Sequence, residues 1–135
     1  MTERNESDFS AHHGKTIVWV TRFDDDVLCI YFTDYTFVRL RVKGECCSTS
    51  WIEHFEMPND IIGATVLSYR EFDKDVFTCN GEDDYLQTYE VRIGTSAGDI
   101  VMEHRNASNG YYGGEVYITD DFWAGNNPIF GVINQ

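Results

Sequence analysis

Seven stretches of the chain are rich in the apolar, β-branched and aromatic residues typical of β-strands, and along 36–43 apolar and polar residues alternate, as in a strand with one buried face. These stretches are 15–23, 26–34, 36–43, 64–72, 86–94, 98–106 and 115–120. Several are separated by only a few residues, and such short connections join antiparallel neighbours. We therefore predict a mainly β domain, of the β-rich α+β class, in which about seven strands form antiparallel meanders. A small barrel is favoured over a sandwich, because short connections keep consecutive strands adjacent.

One segment between the two groups of strands predicts a single short helix near residues 50–57. Ser50 and Glu53 have the spacing of a capping box, in which each side chain bonds a backbone amide of the first turn. Pro58 follows at the position where it would end the helix. This segment supplies the only helix that we expect.

Two Asn-Gly pairs mark predicted turns in the second half of the chain. The first, Asn80-Gly81, lies within the charged segment 73–84, which we expect to be an exposed loop. The second, Asn109-Gly110, is typical of a two-residue type I′ turn, in which both central residues have positive φ. It predicts a hairpin between the last two strand stretches.

The strand pattern occupies residues 15–120, which we interpret as a single domain. Residues 1–14 are expected to form a flexible polar arm, and 121–135 an apolar tail packed on the body or on a partner. The tail residues expected at that interface are Phe122, Trp123 and Phe130. The chain has neither the roughly 20 apolar residues of a membrane helix nor a signal-peptide pattern, so we expect a cytoplasmic protein whose cysteines are reduced.

The net charge of −13, from 23 acidic and 10 basic residues, bears on the choice of partner. A negatively charged surface repels nucleic acid and anionic membranes and attracts a protein with a basic surface. The competing interpretation is that the charge only keeps the protein soluble. The candidate protein-binding residues lie in acidic loops: Asp24, Asp25, Asp26, Glu82, Asp83 and Asp84. These carboxylates lack the spacing of a calcium loop, so no metal site is predicted.

Cationic side chains alternate with apolar ones along 36–43, which places Arg39, Arg41 and Lys43 on one face of a strand. Such a row could bind an anion, together with the predicted helix start and arginines from neighbouring strands. The additional members of this alternative site are Ser48, Thr49, Ser50, Arg92 and Arg105. The competing interpretation is cross-strand pairing of the cations with carboxylates such as Glu90 and Glu103.

Cys46 and Cys47 stand just before the predicted helix, whose dipole would favour a thiolate. Either one, with His54 or His104 as the base, is a candidate nucleophile, and buried structural thiols are the competing interpretation. No cofactor-binding motif is found. An enzyme is therefore the weaker functional class.

Two longer motifs, "GECCSTSWIEH" with the "IIGATV" that follows it, and "RNASNGYYGG", resemble those of a family of small uncharacterised proteins in bacteriophage and prophage genomes. The resemblance covers about residues 14–119 and implies a β-rich fold and a phage origin, without an activity. Relatives tend to have Asp-Gly where this chain has Asp34-Tyr35, so a strict type I′ turn is not expected there.

Three functions are compatible with these features. The first is a phage-type counter-defence inhibitor, not an enzyme, that binds a host nucleic-acid-handling protein through the acidic loops. The second is a binding module that sequesters a nucleotide-like immune signal on the basic strand face. This face would lie either on a single chain or at the subunit interface of a homo-oligomer. The third is a cysteine-dependent enzyme. Neutralising the acidic loops or reversing the basic face would separate the first two.

Overall fold

A computed structural model describes residues 2–4, 9–44, 48–79, 84–108 and 113–123. Within these ranges the chain is almost entirely β, which confirms the predicted class. The elements are β1 (Thr2–Arg4), a 3₁₀ turn (Ser10–His12), β2 (Ile17–Phe23), β3 (Val27–Phe32), β4 (Thr36–Gly44), β5 (Thr49–Glu56), β6 (Val66–Cys79), β7 (Asp84–Thr95), β8 (Gly98–Ser108) and β9 (Gly114–Phe122). No helix in this part of the chain is long and apolar enough to cross a membrane.

The described strands form two antiparallel sheets, one of five strands in the order β1-β6-β7-β8-β5 and one of four in the order β2-β3-β4-β9. A single core lies between them, and both sheets contribute fully buried side chains to it, among them Leu28, Ile30, Leu40, Val91, Ile93 and Ile100. The arrangement is a sandwich, not the favoured barrel. The chain crosses between the sheets after β1, after β4 and after β8, so consecutive strands are not always neighbours.

The outer face of the four-stranded sheet carries a second apolar cluster. Its buried members are Val27, Cys29, Tyr31 and Trp123. Strand β3 is consequently buried on both faces, whereas β4 alternates between the core and solvent. The meanders predicted from the sequence, β2-β3-β4 and β6-β7-β8, are both present.

The segment predicted to be helical is strand β5, which pairs with β8 from Thr49 to Glu56. The two residues of the supposed capping box have other partners: Ser50 Oγ donates to Asn106, and Glu53 accepts a hydrogen bond from the Trp51 indole. Pairing along a neighbouring strand and burial of Ile52 in the core outweigh a local helix-start signal.

The charged segment expected to be a loop is mostly strand. Strands β6 and β7 pair as far as Cys79 and Asp84, so they form one long hairpin. Its Asn80-Gly81 pair lies outside the described residues. Cross-strand pairing thus extends farther than the hydrophobic alternation indicated.

Strands β8 and β9 do not form the predicted hairpin. Strand β8 pairs with β5 and β7, whereas β9 pairs with β4 in the other sheet. The Asn109-Gly110 pair itself lies outside the described residues, between these two strands. An Asn-Gly signal reports a local backbone preference and does not select the partner of the strand that follows.

Both ends of the described chain contact the sandwich. Strand β1 pairs with β6, and Phe9 and His12 are buried, so this segment differs from the loose arm predicted over 1–14. At the other end, Trp123 is buried, and its indole donates to the Phe32 carbonyl at 3.1 Å, whereas Phe122 is exposed. Phe130 lies outside the described residues.

Candidate functional site

The three cations of β4 lie together on the outer surface of the four-stranded sheet. Strand β9 runs beside them, with Thr119 opposite Arg39 and Tyr117 opposite Arg41. These residues line a pocket of about 220 Å³, which we call the basic face: Arg39, Arg41, Lys43, Tyr117 and Thr119. Strand alternation places the cations there, because Val38, Leu40 and Val42 point into the core.

The cations of the basic face differ in their partners. The Arg41 Nε atom is 3.7 Å from Asp26 Oδ2, whereas neither Arg39 nor Lys43 has a carboxylate ion-pair partner among the described side chains. The Arg39 guanidinium lies over the Phe37 ring at 5.8 Å, and Lys43 Nζ lies over Tyr117 at 5.7 Å. Such contacts leave the charge available to a ligand.

Arg92 and Arg105 do not join the basic face, because both lie on the five-stranded sheet. Arg92 is 3.0 Å from Glu90 and 3.1 Å from Asp99, and hydrogen bonds to these carboxylates raise the pKa of the guanidinium. Arg105 is 3.6 Å from Glu103 and 3.7 Å from Glu53. These two arginines therefore pair with carboxylates, as the competing interpretation of the sequence predicts. The sequence could not assign them to a sheet.

The Ser48–Ser50 segment offers no helix N-terminus for an anion. Ser50 Oγ instead donates to the buried Asn106 at 2.7 Å. A Cβ at Gly114 would lie 2.9 Å from Ser50 Oγ, and one at Gly44 would lie 2.8 Å from Asn106 Oδ1. The described parts of the two motifs noted above thus meet at one end of the sandwich, where the close approach requires glycine.

The acidic turn Asp24–Asp26 joins β2 to β3 at this same end of the sandwich. Its backbone is held by hydrogen bonds from Ile52 to Asp25 and from Val42 to Asp26, and Asp24 has a φ of 55°. The Asp25 side chain is 91% exposed. Glu82 and Asp83 lie outside the described residues, and Asp84 is the first residue of β7.

No helix dipole is available to favour a thiolate at Cys46 or Cys47, because the segment that follows them is a strand. The two cysteines themselves lie outside the described residues. His54 is exposed and 3.5 Å from Glu56, whereas His104 is buried and stacked on Tyr89. Burial raises the pKa of the Cys29 thiol, against a smaller opposing effect of Arg39. Cys29 therefore has a structural role in the outer apolar cluster.

A polar cluster that we had not anticipated lies at the opposite end of the four-stranded sheet. We call it the N-terminal cluster: His12, Lys15, Asp34, Thr36 and Asp120. Lys15 Nζ is 3.2 Å from His12 Nδ1, 3.0 Å from Thr36 Oγ1 and 3.2 Å from Asp34 Oδ2. His12 Nε2 is 3.2 Å from Asp120 Oδ2.

Burial and charge set the protonation preferences within the N-terminal cluster. Burial, assisted by the neighbouring Lys15, lowers the pKa of His12, and Asp120 opposes the shift. Burial works against ionisation of Asp34, but hydrogen bonds from Thr36 and the Lys15 charge outweigh it and lower that pKa. The sequence held no signal for this cluster, because its members come from three segments that are far apart in the chain. In the described ranges, no group of three or more His, Cys, Asp or Glu side chains could hold a metal ion.

Comparison with known proteins identifies a family for this chain, and the description of that family gives no activity. No curated protein and no solved structure matches this chain. The sequence profile of one family, described as "Domain of unknown function (DUF7448)", matches residues 11–118. The matched range runs from the 3₁₀ turn through most of β9 and so includes nearly the whole sandwich. The chain therefore belongs to the DUF7448 family of domains of unknown function.

Proposed function

We propose that this protein is a non-enzymatic binding module that takes a phosphate-bearing, nucleotide-like ligand on its basic face. The observation that carries the proposal is the presence of Arg39 and Lys43, exposed and without carboxylate partners among the described side chains, in a chain with a net charge of −13. The half-buried Arg92 and Arg105 of the other sheet, in contrast, both have carboxylate neighbours.

The basic face combines two kinds of contact that a nucleotide needs. Alternate residues of a strand lie about 7 Å apart, so Arg39 and Arg41 can reach different oxygens of one phosphate chain. Tyr117, which is 47% exposed, offers a ring on which a base can stack. The volume of about 220 Å³ is below the roughly 300–1,000 Å³ of sites for drug-sized ligands and suits part of a nucleotide.

The biological role that we attach to this site is sequestration of a nucleotide-like immune signal in a host cytoplasm. It combines the basic face with the resemblance of the two motifs to phage and prophage proteins. A binding module needs no catalytic group, and the described histidines are engaged with carboxylates or aromatic rings.

Binding of adenosine diphosphate and of inorganic phosphate, measured by calorimetry, tests the proposal. Arg39→Glu should weaken binding of the nucleotide at least about tenfold, since a charge-assisted hydrogen bond contributes about 1.5–3 kcal/mol. Arg70→Glu is the matched control, because Arg70 is also exposed and also lies over a ring, that of Phe72, but on the other sheet. Equal affinity in both variants, or no saturable binding by the parent protein, would refute the proposal.

A second candidate is binding of a basic host protein through the acidic turn. It rests on the net charge and on Asp25, whose side chain is 91% exposed at the same end as the long β6-β7 hairpin. Its test is neutralisation of Asp24, Asp25 and Asp26 to asparagine. The triple variant should slow association with a captured host protein, most clearly at low salt, whereas Arg39→Glu should not.

A further inference from the structure

The basic face has its free positive charges at its two ends. Arg39, Arg41 and Lys43 occupy alternate positions of β4, so the outer two are separated by roughly 13 Å along the strand. Both of these outer residues are exposed, and neither has a carboxylate ion-pair partner among the described side chains. The face therefore offers an anionic ligand two separate contacts and not one compact cluster of charge.

The middle cation of the row is partly neutralised by a carboxylate from the acidic turn. Arg41 Nε is 3.7 Å from Asp26 Oδ2. The backbone of Asp26 is held in place, because its carbonyl accepts a hydrogen bond from the Val42 amide at 2.8 Å. Negative charge of a ligand is consequently less favoured at the centre of the row than at either end.

The neighbouring strand β9 adds an aromatic ring and a hydroxyl to this row. Tyr117 lies opposite Arg41 and is 47% exposed, so its ring can receive a base near the middle of the row. Lys43 Nζ is 5.7 Å from the same ring, so a phosphate bound to Lys43 adjoins the base. Thr119 lies opposite Arg39 and is exposed, and its hydroxyl can donate to a phosphate oxygen at that end. The face thus has a phosphate position on each side of a stacking position.

We infer that the ligand of the basic face is a single nucleoside with one phosphate on its 5′ oxygen and another on its 3′ oxygen. This inference rests on the proposed function and specifies its ligand. The phosphates of a 5′-diphosphate share a bridging oxygen and cannot contact both ends of the row at once. A ribose between the phosphates lets one pair with Arg39 and the other with Lys43, while the base packs on Tyr117. The pocket volume of about 220 Å³ suits one nucleoside and not several.

Calorimetry with three adenosine probes, in buffer without divalent cations, tests this inference. The probes are adenosine 3′,5′-bisphosphate, ADP and ATP. ATP has a net charge close to that of the bisphosphate, but all of its phosphates lie on the 5′ side. We expect the bisphosphate to bind about tenfold more tightly than ADP or ATP, since only this probe gains a charge-assisted contact at each end of the row. The trinucleotide ApApA, in which diester phosphates flank a central nucleoside, should bind more weakly than the bisphosphate.

The variant Lys43→Gln removes the charge at one end of the row and keeps most of the side chain. It should weaken binding of the bisphosphate about tenfold and bring its affinity to within about threefold of that of ATP. Arg39→Gln should weaken binding of all three adenosine probes, because each of them places a phosphate at that end. Arg70→Gln, at an exposed arginine of the other sheet, is the control and should leave the three affinities unchanged. Melting temperatures equal to that of the parent protein would establish that the variants fold.

The outcomes distinguish a failure of this inference from a failure of the proposed function. Binding of all three adenosine probes with equal affinity would overturn the inference and leave the proposed function standing, whereas no saturable binding of any probe would refute both. A Lys43→Gln variant that kept the full preference for the bisphosphate would also overturn the inference. Tighter binding of ApApA than of the bisphosphate would overturn the assignment to a single nucleoside.

Discussion

The buried side chain of Asn106 connects three strands at the end of the sandwich where the two motifs meet. Asn106 is 0% exposed. Its Oδ1 accepts from Ser50 Oγ of β5 at 2.7 Å, and its Nδ2 donates to Gln87 Oε1 of β7 at 3.1 Å. We predict that Asn106→Ala strongly destabilises the fold.

The magnitude follows from these contacts. Truncation to alanine removes both hydrogen bonds, at about 1 kcal/mol each, and leaves their partners poorly satisfied inside the protein. The vacated volume adds a cavity cost of about 1 kcal/mol. The free energy of unfolding should therefore fall by about 2–4 kcal/mol, a large part of the roughly 5–15 kcal/mol of a typical domain. For a chain of this size, that corresponds to a drop in Tm of about 10 °C.

Thermal melting followed by circular dichroism measures the effect, with urea unfolding as a second measure. Ala107→Ser is the control, because Ala107 is the next residue of the same strand and is exposed. A double-mutant cycle with Ser50→Ala should show a coupling energy of about 0.5–1.5 kcal/mol. If Asn106→Ala melted within about 2 °C of the parent protein, the hydrogen-bond reasoning would be refuted.

Three further predictions concern the outer cluster and the N-terminal cluster. Trp123→Ala should cost about 3–5 kcal/mol of stability, whereas the same change at the exposed Phe122 should cost less than about 1 kcal/mol; similar melting of both variants would contradict the packing of the indole. Burial raises the pKa of Cys29, so peptide mapping should find that thiol unmodified by a thiol reagent until the protein unfolds. Burial lowers the pKa of His12 below 6.5, so the unfolded chain binds this proton more readily. Stability should then fall as the pH drops from 6.5 through the lowered value, and a His12→Gln variant with the same pH dependence would rule this out.

The strand-forming composition of the chain was sufficient to predict most strands, and alternation along 36–43 predicted which side chains of β4 are exposed. The sequence placed Val38, Leu40 and Val42 on one face of a strand and the cations of β4 on the opposite face. In the structure the three apolar side chains are buried and the cations are exposed. This works because the side chains of a strand alternate with a period of two residues, whatever its partner. The short connections from β2 to β3, from β3 to β4 and from β7 to β8 identified these strands as antiparallel neighbours, because a connection of a few residues joins adjacent strands.

Only the tertiary structure decided which strands share a sheet and which side chains meet. The Ser50 and Glu53 spacing favoured a helix, but pairing with β8 makes the segment a strand, because long-range hydrogen bonds and burial exceed a local preference. The separation of Arg92 and Arg105 from the basic face depends on the crossovers between sheets, which no local pattern encodes. The contact of His12 with Asp120 likewise exists only because the beginning and the end of the domain pack against the same edge of the core.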